Sequence, residues 1–333
     1  MIDCLRAPSD HLWVTFDACV GFHYNDGVFA FTKAPMLRSA DAAGTTIRLP
    51  EETGASVALE DVSLSVSAPE GEIEILRGAS LRVSAGEFVC LLGPSGSGKS
   101  TILNLFAGLA KPTSGRVLKQ EVEVSSPGPD RAVVFQDAAL FPWLDLRANV
   151  EFPLKLQGLA HGARAARSEE LLRLVHLWRF SDRYPHQLSG GMRQRGAIAR
   201  ALATDPAVLL MDEPFASLDA QTREILQGEV ERIWSATRKT IVFVTHNVRE
   251  AVRLADRVVL MGSRPGRLLH EEVIDLPRPR AANDARVATI ATGIARRIAS
   301  EVEKVAREEA DDAWVVPGGR SVGDPRRNLG RGI

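Results

Sequence analysis

From residue 57 onward, short apolar runs alternate with longer stretches in which apolar residues recur at helical spacing. The runs are rich in Val, Leu and Phe, which is typical of strands buried on both faces of a sheet. They cover residues 87–92, 131–136, 207–211, 240–245 and 257–261. The helical stretches cover residues 102–108, 192–204, 220–236 and 248–255. This alternation predicts an α/β fold in which a mainly parallel sheet carries helices on both faces.

Before the first buried run, the pattern changes to one of antiparallel strands. Residues 57–66 alternate between apolar and polar positions, and Pro69 and Gly71 predict a turn. Residues 73–83 predict a second strand pair. We therefore expect an antiparallel β subdomain at the edge of the fold, with a further strand at residues 115–119.

Between the second and third buried runs, residues 137–187 are more polar and helix-rich. Apolar residues recur at helical spacing from residue 164 to residue 180. This block predicts a helical subdomain inserted into the sheet.

The two ends of the chain differ from its centre. Residues 1–54 contain scattered aromatic residues without a sustained period, which predicts an appended, poorly ordered extension or an over-long start-site assignment. Residues 290–310 predict a helix, and residues 315–333, rich in Gly, Arg and Pro, predict a loose end. The expected division is an extension at 1–54, a central domain at 55–266 and a C-terminal tail at 267–333.

Composition narrows the class of protein. The 333 residues are 45% hydrophobic and 25% charged, and the formal net charge of −1 gives no reason to expect nucleic-acid binding. Cys4, Cys19 and Cys90 form no disulfide framework and no CxxC motif, which favours a reducing, cytosolic compartment. No apolar run approaches the roughly 18 residues that span a bilayer, and the acidic N-terminus predicts no signal peptide. We therefore expect any membrane role to depend on partners.

A glycine-rich sequence, GPSGSGKST, joins the first buried run to the first helix. It fits G-x-x-x-x-G-K-[ST], the phosphate-binding loop, in the strand–helix context that this loop requires. Its glycines let backbone N–H groups face a phosphate, and the helix N-terminus adds partial positive charge. Lys99 would reach the β- and γ-phosphates and Ser100 would ligate Mg²⁺; the alternative is an ordinary Gly-rich turn. The residues of the loop are Gly93, Pro94, Ser95, Gly96, Ser97, Gly98, Lys99, Ser100 and Thr101.

Two carboxylates, Asp212 and Glu213, follow the apolar run 208–211. The carboxyl ends of parallel strands form the edge at which α/β sheets bind ligands. Asp212 is placed to hold Mg²⁺ through water, and Glu213 could turn toward a water that attacks the γ-phosphate. Alone, such a pair is more often a cap of the next turn. The phosphate loop in the same chain favours the catalytic interpretation.

Two further polar residues end buried runs and are expected at the same sheet edge. His246 follows residues 241–245 and could donate to the γ-phosphate. Gln136 ends residues 131–136, and its amide could contact Mg²⁺ or the attacking water. Either residue alone is equally consistent with an ordinary strand end.

A second anion site is predicted where the sequence LSGGMRQR opens a helix. Ser189, Gly190 and Gly191 supply a hydroxyl and free backbone N–H groups at a helix N-terminus. Taken alone, this segment is a serine N-cap with two flexible glycines. Two phosphate cradles with one Lys-Ser pair suggest a nucleotide held from two sides.

Residues 57–266 resemble the ATP-binding-cassette (ABC) ATPases. The order of the phosphate loop, Gln136, LSGGMRQR, VLLMDEP, residues 217–219 and His246 matches the pattern of that family. The resemblance implies the P-loop NTPase fold of an ABC nucleotide-binding domain, ATP and Mg²⁺ as cofactors, and a head-to-tail homodimer. Each ATP would lie between the phosphate loop of one subunit and Ser189-Gly190-Gly191 of the other. Asp219 would lie in the loop that crosses the dimer seam.

Four segments are similar to an importer subgroup that serves nitrate, sulfonates, taurine and related solutes. They are DAALFPWL at 137–144, RANV at 147–150, RPGR at 264–267 and DLPRPR at 275–280. The resemblance implies a peripheral subunit on the cytoplasmic face of the inner membrane, with integral membrane permease subunits and, indirectly, a solute-binding protein as partners. Phe141, Pro142 and Trp143 would line a groove for a helix of the membrane subunit. Alternatively, Phe141 and Trp143 only pack the helical subdomain.

The chain departs from the family at the position that usually stacks on adenine. That position corresponds to Val66, and no Phe, Tyr or Trp occurs between Phe31 and Phe88. Either Val66 makes an apolar contact that suffices, or another residue holds the base. Stacking on an aromatic ring contributes about 1–3 kcal/mol, so we expect modest nucleotide affinity.

Three other functions compete with transport. A DNA-repair ABC ATPase would carry a long coiled-coil or zinc insertion, but the insertion here is short and contains no cysteine cluster. A translation-associated protein would carry two cassettes, and this chain has one. An inactive homologue would lack catalytic residues, whereas Lys99, Ser100, Glu213 and His246 are all present.

Overall fold

The computed structural model describes residues 22–25, 28–31, 54–68, 71–216, 218–263, 265–281 and 283–312. Near the N-terminus, β1 (Phe22–Asn25) and β2 (Val28–Phe31) pair as an antiparallel hairpin. The hydrophobic pattern did not predict this hairpin. The rest of the predicted extension, up to residue 53, and the predicted loose end at 315–333 lie outside the described residues.

The strands and helices predicted from the sequence occur in the predicted order, and the strands at residues 122–123 and 267–273 are additional. In chain order the strands are β3 (Val57–Ala68), β4 (Gly71–Val83), β5 (Phe88–Leu92), β6 (Ser114–Lys119), β7 (Val122–Glu123), β8 (Arg131–Val134), β9 (Val208–Asp212), β10 (Thr240–Thr245), β11 (Arg257–Gly262) and β12 (Arg267–Val273). The helices are α1 (Lys99–Ala107), α2 (Leu146–Leu156), α3 (His161–Leu174), α4 (Gly190–Ala203), α5 (Ala220–Thr237), α6 (Val248–Leu254) and α7 (Ala285–Asp312).

The central sheet has the strand order β12-β11-β5-β10-β9-β8. All neighbouring pairs are parallel except β11 and β12. Alternate residues of one strand enter different cores: Phe88 and Cys90 pack toward α4–α7, whereas Val89 and Leu91 pack toward α1 and the antiparallel sheet. Because both faces are covered there, the central strands β5 and β10 are buried along their whole length. The predicted α/β fold is confirmed.

The antiparallel edge subdomain is a four-stranded sheet with the order β4-β3-β6-β7. The sequence predicted a strand pair within residues 73–83, and this prediction is wrong. These residues belong to the single strand β4, which pairs with β3 through several register irregularities. The left-handed backbone at Asp61 and Gly78 accompanies these irregularities and bends the hairpin without ending either strand.

The helical subdomain contains α2 and α3, which pack against α4. The helix predicted over residues 164–180 is shorter than expected. It ends at Leu174, and His176 follows with the left-handed φ of 57°. A left-handed residue terminates an α-helix. Beyond it Leu177 is fully buried, and a short 3₁₀ turn at Trp178–Phe180 follows, of which Trp178 packs partly against the core.

The segment after residue 266 is attached to the domain by a strand, a buried arginine and a helix. Strand β12, which the sequence analysis missed, extends the central sheet. Arg280 is buried and donates to carbonyl oxygens of Val252, Ala255 and Ile274, so it caps the C-terminus of α6. Helix α7 begins at Ala285, earlier than predicted, and packs against α6.

Candidate functional site

The predicted phosphate-binding loop lies between β5 and α1. Gly98 precedes α1 with φ 82°, and a Cβ there would lie 2.6 Å from Leu76 Cδ2. At Gly93 a Cβ would lie 2.6 Å from the carbonyl oxygen of Met261. Side chains are therefore excluded from both positions, so the loop curls closely around the N-terminus of α1.

Lys99 is folded into this loop. Its Nζ donates to the carbonyl oxygens of Gly93 and Pro94 at 2.9 and 2.7 Å and approaches Ser97 Oγ at 3.3 Å. Burial lowers the pKa of Lys99, and the nearby carboxylates of Glu213 and Asp212 oppose that shift. The Lys99 ammonium group thus lies in the loop whose backbone N–H groups are expected to bind phosphate.

Asp212 ends β9 beside the first turn of α1. Ser100 lies next to its carboxylate. Burial raises the pKa of Asp212, while the Ser100 hydroxyl and the charge of Lys99 lower it. Mg²⁺ prefers oxygen ligands. The half-buried Asp212 carboxylate and the Ser100 hydroxyl supply such ligands beside the phosphate loop. The two residues therefore fit the predicted metal role.

Glu213 and His246 meet at the same sheet edge. His246 Nδ1 lies 3.0 Å from Glu213 Oε2. Glu213 has φ 42°, and its N–H donates to the carbonyl oxygen of Val244 on β10. This bond between adjacent strand ends directs the carboxylate across the sheet edge toward His246. The order of strands β9 and β10 in the sheet therefore brings His246 to the edge where the sequence predicted it, and the contact with Glu213 is an addition from the structure.

The second predicted anion segment opens α4. Ser189 caps the helix by accepting from the N–H of Met192 at 3.3 Å. A Cβ on Gly191 would lie 2.4 Å from Thr222 Cγ2 on α5. Asp219 caps α5 through the N–H of Thr222 at 2.9 Å, and this bond lowers the pKa of Asp219. The structure thus groups the exposed Ser189, Gly190 and Asp219 around the buried Gly191.

Gln136 is exposed just beyond β8, and the loop that contains it is held from both sides by α4. Gln194 Nε2 donates to the carbonyl oxygen of Phe135 at 3.1 Å. Arg200 donates to the carbonyl oxygens of Ala138 and Ala139 at 3.3 and 2.8 Å. Burial lowers the pKa of Arg200 to about 10. Neither residue is recognisable from the sequence pattern, because their partners are backbone carbonyls more than fifty positions away.

The predicted docking residues follow this loop. Trp143 is 69% exposed and Pro142 is exposed, whereas Phe141 is half-buried. The Phe141 ring lies between those of Trp143 and Phe152, with centroid separations of 5.4 and 4.8 Å, and Arg200 lies over it at 5.3 Å. Phe141 thus packs the helical subdomain, and Trp143 extends the same aromatic cluster to the surface.

The position predicted to contact adenine carries an aliphatic pair. Val66 on β3 lies directly opposite Ile73 on β4. Both side chains are exposed, at 44% and 49%. Residues opposite each other in an antiparallel pair share one face of the sheet, so the two form a small apolar surface without an aromatic ring.

We expect Val66→Tyr to tighten ATP binding about fivefold or more, because base–aromatic stacking contributes about 1–3 kcal/mol. Titration with a fluorescent ATP analogue measures the change. Val122→Tyr, at an exposed valine on β7, is the matched control and leaves the affinity unchanged. An unaltered ATP affinity for Val66→Tyr would show that the base is held elsewhere.

Among the described residues, no group of three or more His, Cys, Asp and Glu side chains could hold a metal ion. Within the same residues, none of the helices combines the length and the apolar character needed to cross a membrane.

Comparisons with known proteins agree with this geometry. The family described as ABC transporter matches residues 76–216. The taurine import ATP-binding protein of Burkholderia pseudomallei strain K96243 is 43% identical over 259 residues, which cover 75% of this chain and all of that protein. The nitrate import ATP-binding protein of Synechocystis is 47% identical over 219 residues, 66% of this chain and 82% of that protein. A dimeric ATP-binding cassette solved with ADP and phosphate is 35% identical with a TM-score of 0.60, and the match covers 66% of this chain and all of that one. The chain therefore belongs to the family of ABC transporter ATP-binding proteins.

Proposed function

We propose that this ABC ATPase powers an importer of a small anionic solute such as nitrate, a sulfonate or taurine. The observation that carries the proposal is the grouping of Lys99, Asp212 and the Glu213–His246 pair at one sheet edge. Two relatives named for taurine and nitrate import support the solute class and favour transport over DNA repair or translation.

In this proposal, binding and chemistry use different residues at the sheet edge. The N–H groups of residues 93–101 and the Lys99 ammonium hold the β- and γ-phosphates. Ser100, Asp212 and Gln136 would hold Mg²⁺, which neutralises developing phosphate charge when bound. Glu213 takes a proton from the attacking water, and His246 orients Glu213 and donates to the γ-phosphate. The short Glu213–His246 distance supports this division of roles.

The site on one subunit is incomplete without a second copy in this proposal. Ser189 and Gly190 are exposed at the N-terminus of α4, whereas Lys99 is bonded within its own loop. We infer a head-to-tail homodimer in which Ser189, Gly190 and Gly191 of one subunit close over the ATP of the other. Asp219 would lie at the seam between them. The dimeric cassette among the solved relatives supports this assembly.

The proposed domains follow the same division. Residues 55–266 form the ATPase domain, and residues 137–187 form its helical subdomain. The tail from residue 267 contributes β12 to the central sheet, so the sheet continues past the predicted boundary. Residues 1–54 would form an appended extension.

The proposed membrane partner is an integral permease subunit, with the chain bound peripherally at the cytoplasmic face. Trp143 and Pro142 are exposed on the helical subdomain, next to the half-buried Phe141. An exposed aromatic side chain beside an apolar ring is the surface that an amphipathic helix recognises. A solute-binding protein would act on the permease and have no contact with this chain.

Co-purification tests this proposal. A tagged full-length chain extracted from native membranes in mild detergent is expected to retain an integral membrane subunit. Trp143→Ala is expected to weaken that association by at least about tenfold, because Trp anchors at interfaces often contribute 2 kcal/mol or more. The measurement is a pull-down at increasing salt and detergent, alongside a thermal melt.

Ile225→Ala, which removes an exposed apolar side chain from α5, is the matched control and retains the membrane subunit. The docking role is wrong if Trp143→Ala lowers the melting temperature strongly but leaves the complex intact. A wild-type chain that hydrolyses ATP but never retains a membrane subunit contradicts the transport function itself.

A further inference from the structure

Glu250 on α6 is a buried carboxylate next to the Glu213–His246 pair. Its side chain is 6% exposed. Gln227 Nε2 on α5 donates to one carboxylate oxygen at 2.8 Å, and the Thr245 hydroxyl donates to the other. Both oxygens therefore have partners, and the partners belong to different elements. A buried charge satisfied in this way joins α5, α6 and the end of β10.

The bonds of Glu250 continue to the residues on both sides of His246. Thr245 Oγ1 accepts from the N–H of Asn247 at 3.0 Å. Asn247 Oδ1 in turn accepts from the N–H of Arg249 at 3.1 Å and of Glu250 at 3.2 Å, and so caps α6. The backbone that carries His246 is therefore tied to α6 before and after the histidine.

The side chain of His246 is 67% exposed, so packing restrains its ring little. Its direction depends on the backbone from Thr245 to Asn247 and on the 3.0 Å contact with Glu213. The hydrogen bonds of Thr245 and Asn247 therefore set the direction of the imidazole.

The opposite side of this site is held by Arg223 on α5. Its guanidinium donates to the carbonyl oxygens of Phe215 at 3.3 Å and Leu218 at 2.8 Å, which lie in the segment after Glu213. Arg223 and Glu250 line the same small cavity as Glu213 and His246. Burial raises the pKa of Glu250, and the bonds from Thr245 and Gln227 and the charge of Arg223 lower it. Arg223 thus fixes the segment after Glu213, and Glu250 fixes the segment that contains His246.

We propose that Glu250 is a positioning residue that, through Thr245, keeps His246 aligned with Glu213 during ATP hydrolysis. The inference rests on the proposed roles of Glu213 and His246. Glu250 contacts neither phosphate loop nor Lys99, so its loss should slow turnover without weakening ATP binding. Gln227 anchors the carboxylate, because its Oε1 is held by Arg253 Nη1 at 2.9 Å.

The test compares Glu250→Gln with Thr245→Val in the full-length protein. Glu250→Gln removes the charge and Thr245→Val removes the hydroxyl of the same hydrogen bond, and both substitutions nearly keep the volume of the side chain. We expect either substitution to lower kcat for ATP at least tenfold and to change the Kd for ATP less than twofold. The double variant is expected to be no slower than the slower single variant, because residues that act through one shared contact are not additive. Thr245→Ser, which retains the hydroxyl, is expected to keep at least half of the wild-type kcat.

Glu231→Gln is the matched control. Glu231 is also 6% exposed and belongs to α5, but its partner is Arg278 at 3.6 Å, on the side of the domain that carries the C-terminal segment. It is expected to leave kcat within twofold of wild type. A thermal melt on every variant separates loss of folding from loss of positioning.

Four outcomes overturn the inference. The first is a Glu250→Gln kcat within twofold of wild type. The second is an equal loss of kcat in Glu250→Gln and Glu231→Gln that follows the melting temperature, which would make Glu250 a structural residue only. If Glu250→Gln does not fold, an active Thr245→Val variant overturns it in the same way. A wild-type protein that binds ATP but does not hydrolyse it overturns both this inference and the proposed function, whereas an active wild type with an active Glu250→Gln leaves the function standing.

Discussion

Replacing Glu213 with glutamine is expected to reduce steady-state ATP hydrolysis at least 100-fold while leaving ATP binding within a few-fold of wild type. The amide keeps the size of the side chain but cannot take a proton from water, and general-base catalysis typically contributes 10²–10⁴-fold. Lys99 and the phosphate loop, which carry binding, are unchanged. A phosphate-release assay and equilibrium titration with ATP measure the two quantities separately.

The same variant is expected to accumulate as an ATP-bound dimer, because closed dimers form but cannot reopen through hydrolysis. Size-exclusion chromatography with and without ATP detects this. Glu224→Gln, at an exposed carboxylate on α5, is the control and stays active and unshifted. Turnover near the wild-type rate in Glu213→Gln would remove Glu213 from the catalytic role.

Mixing two inactive variants is expected to restore ATP hydrolysis. Lys99→Ala leaves the β- and γ-phosphate charge uncompensated, and Ser189→Arg places a bulky cation at the helix N-terminus that is proposed to face the partner's ATP. In a heterodimer of the two chains, one composite site carries both lesions and the other carries none. The mixture should therefore reach several times the activity of either parent.

Differently tagged chains and tandem affinity purification isolate the heterodimer for this measurement. Each variant mixed with itself provides the baseline. If purified heterodimers are as inactive as both parents, the two halves of the site do not come from different subunits, and the shared-site arrangement is wrong.

The sequence was sufficient for features that depend on burial and on strand order. The apolar run at residues 240–245 matches the observed strand β10, because a strand covered on both faces has a distinctive composition. Placing polar residues at the ends of parallel strands correctly brought Glu213 and His246 to the same edge. The phosphate-loop motif likewise predicted a buried strand before the loop and a helix after it, which are β5 and α1.

The features that the sequence did not predict depend on tertiary contacts between distant segments. Strand β12 alternates between half-buried and exposed residues and is a strand because β11 pairs with it. Gln194 and Arg200 look like ordinary polar residues of an amphipathic helix until the loop from Phe135 to Ala139 is placed against them. The early end of α3 was also not predicted, because the left-handed residue that follows it is His176 and not a glycine.

Helix α4 begins at Ser189 and also holds the backbone on both sides of Gln136 through Gln194 and Arg200. In the proposed dimer these two ends serve different nucleotides, since Ser189 faces the ATP of the partner and Gln136 faces the ATP of its own chain. A rigid displacement of this helix would therefore move Ser189 relative to one nucleotide and Gln136 relative to the other. Hydrolysis at one site would be communicated mechanically to the other, and both events would reach Trp143 through the same loop. Each nucleotide site would thus influence the other, while one intact site would still hydrolyse ATP.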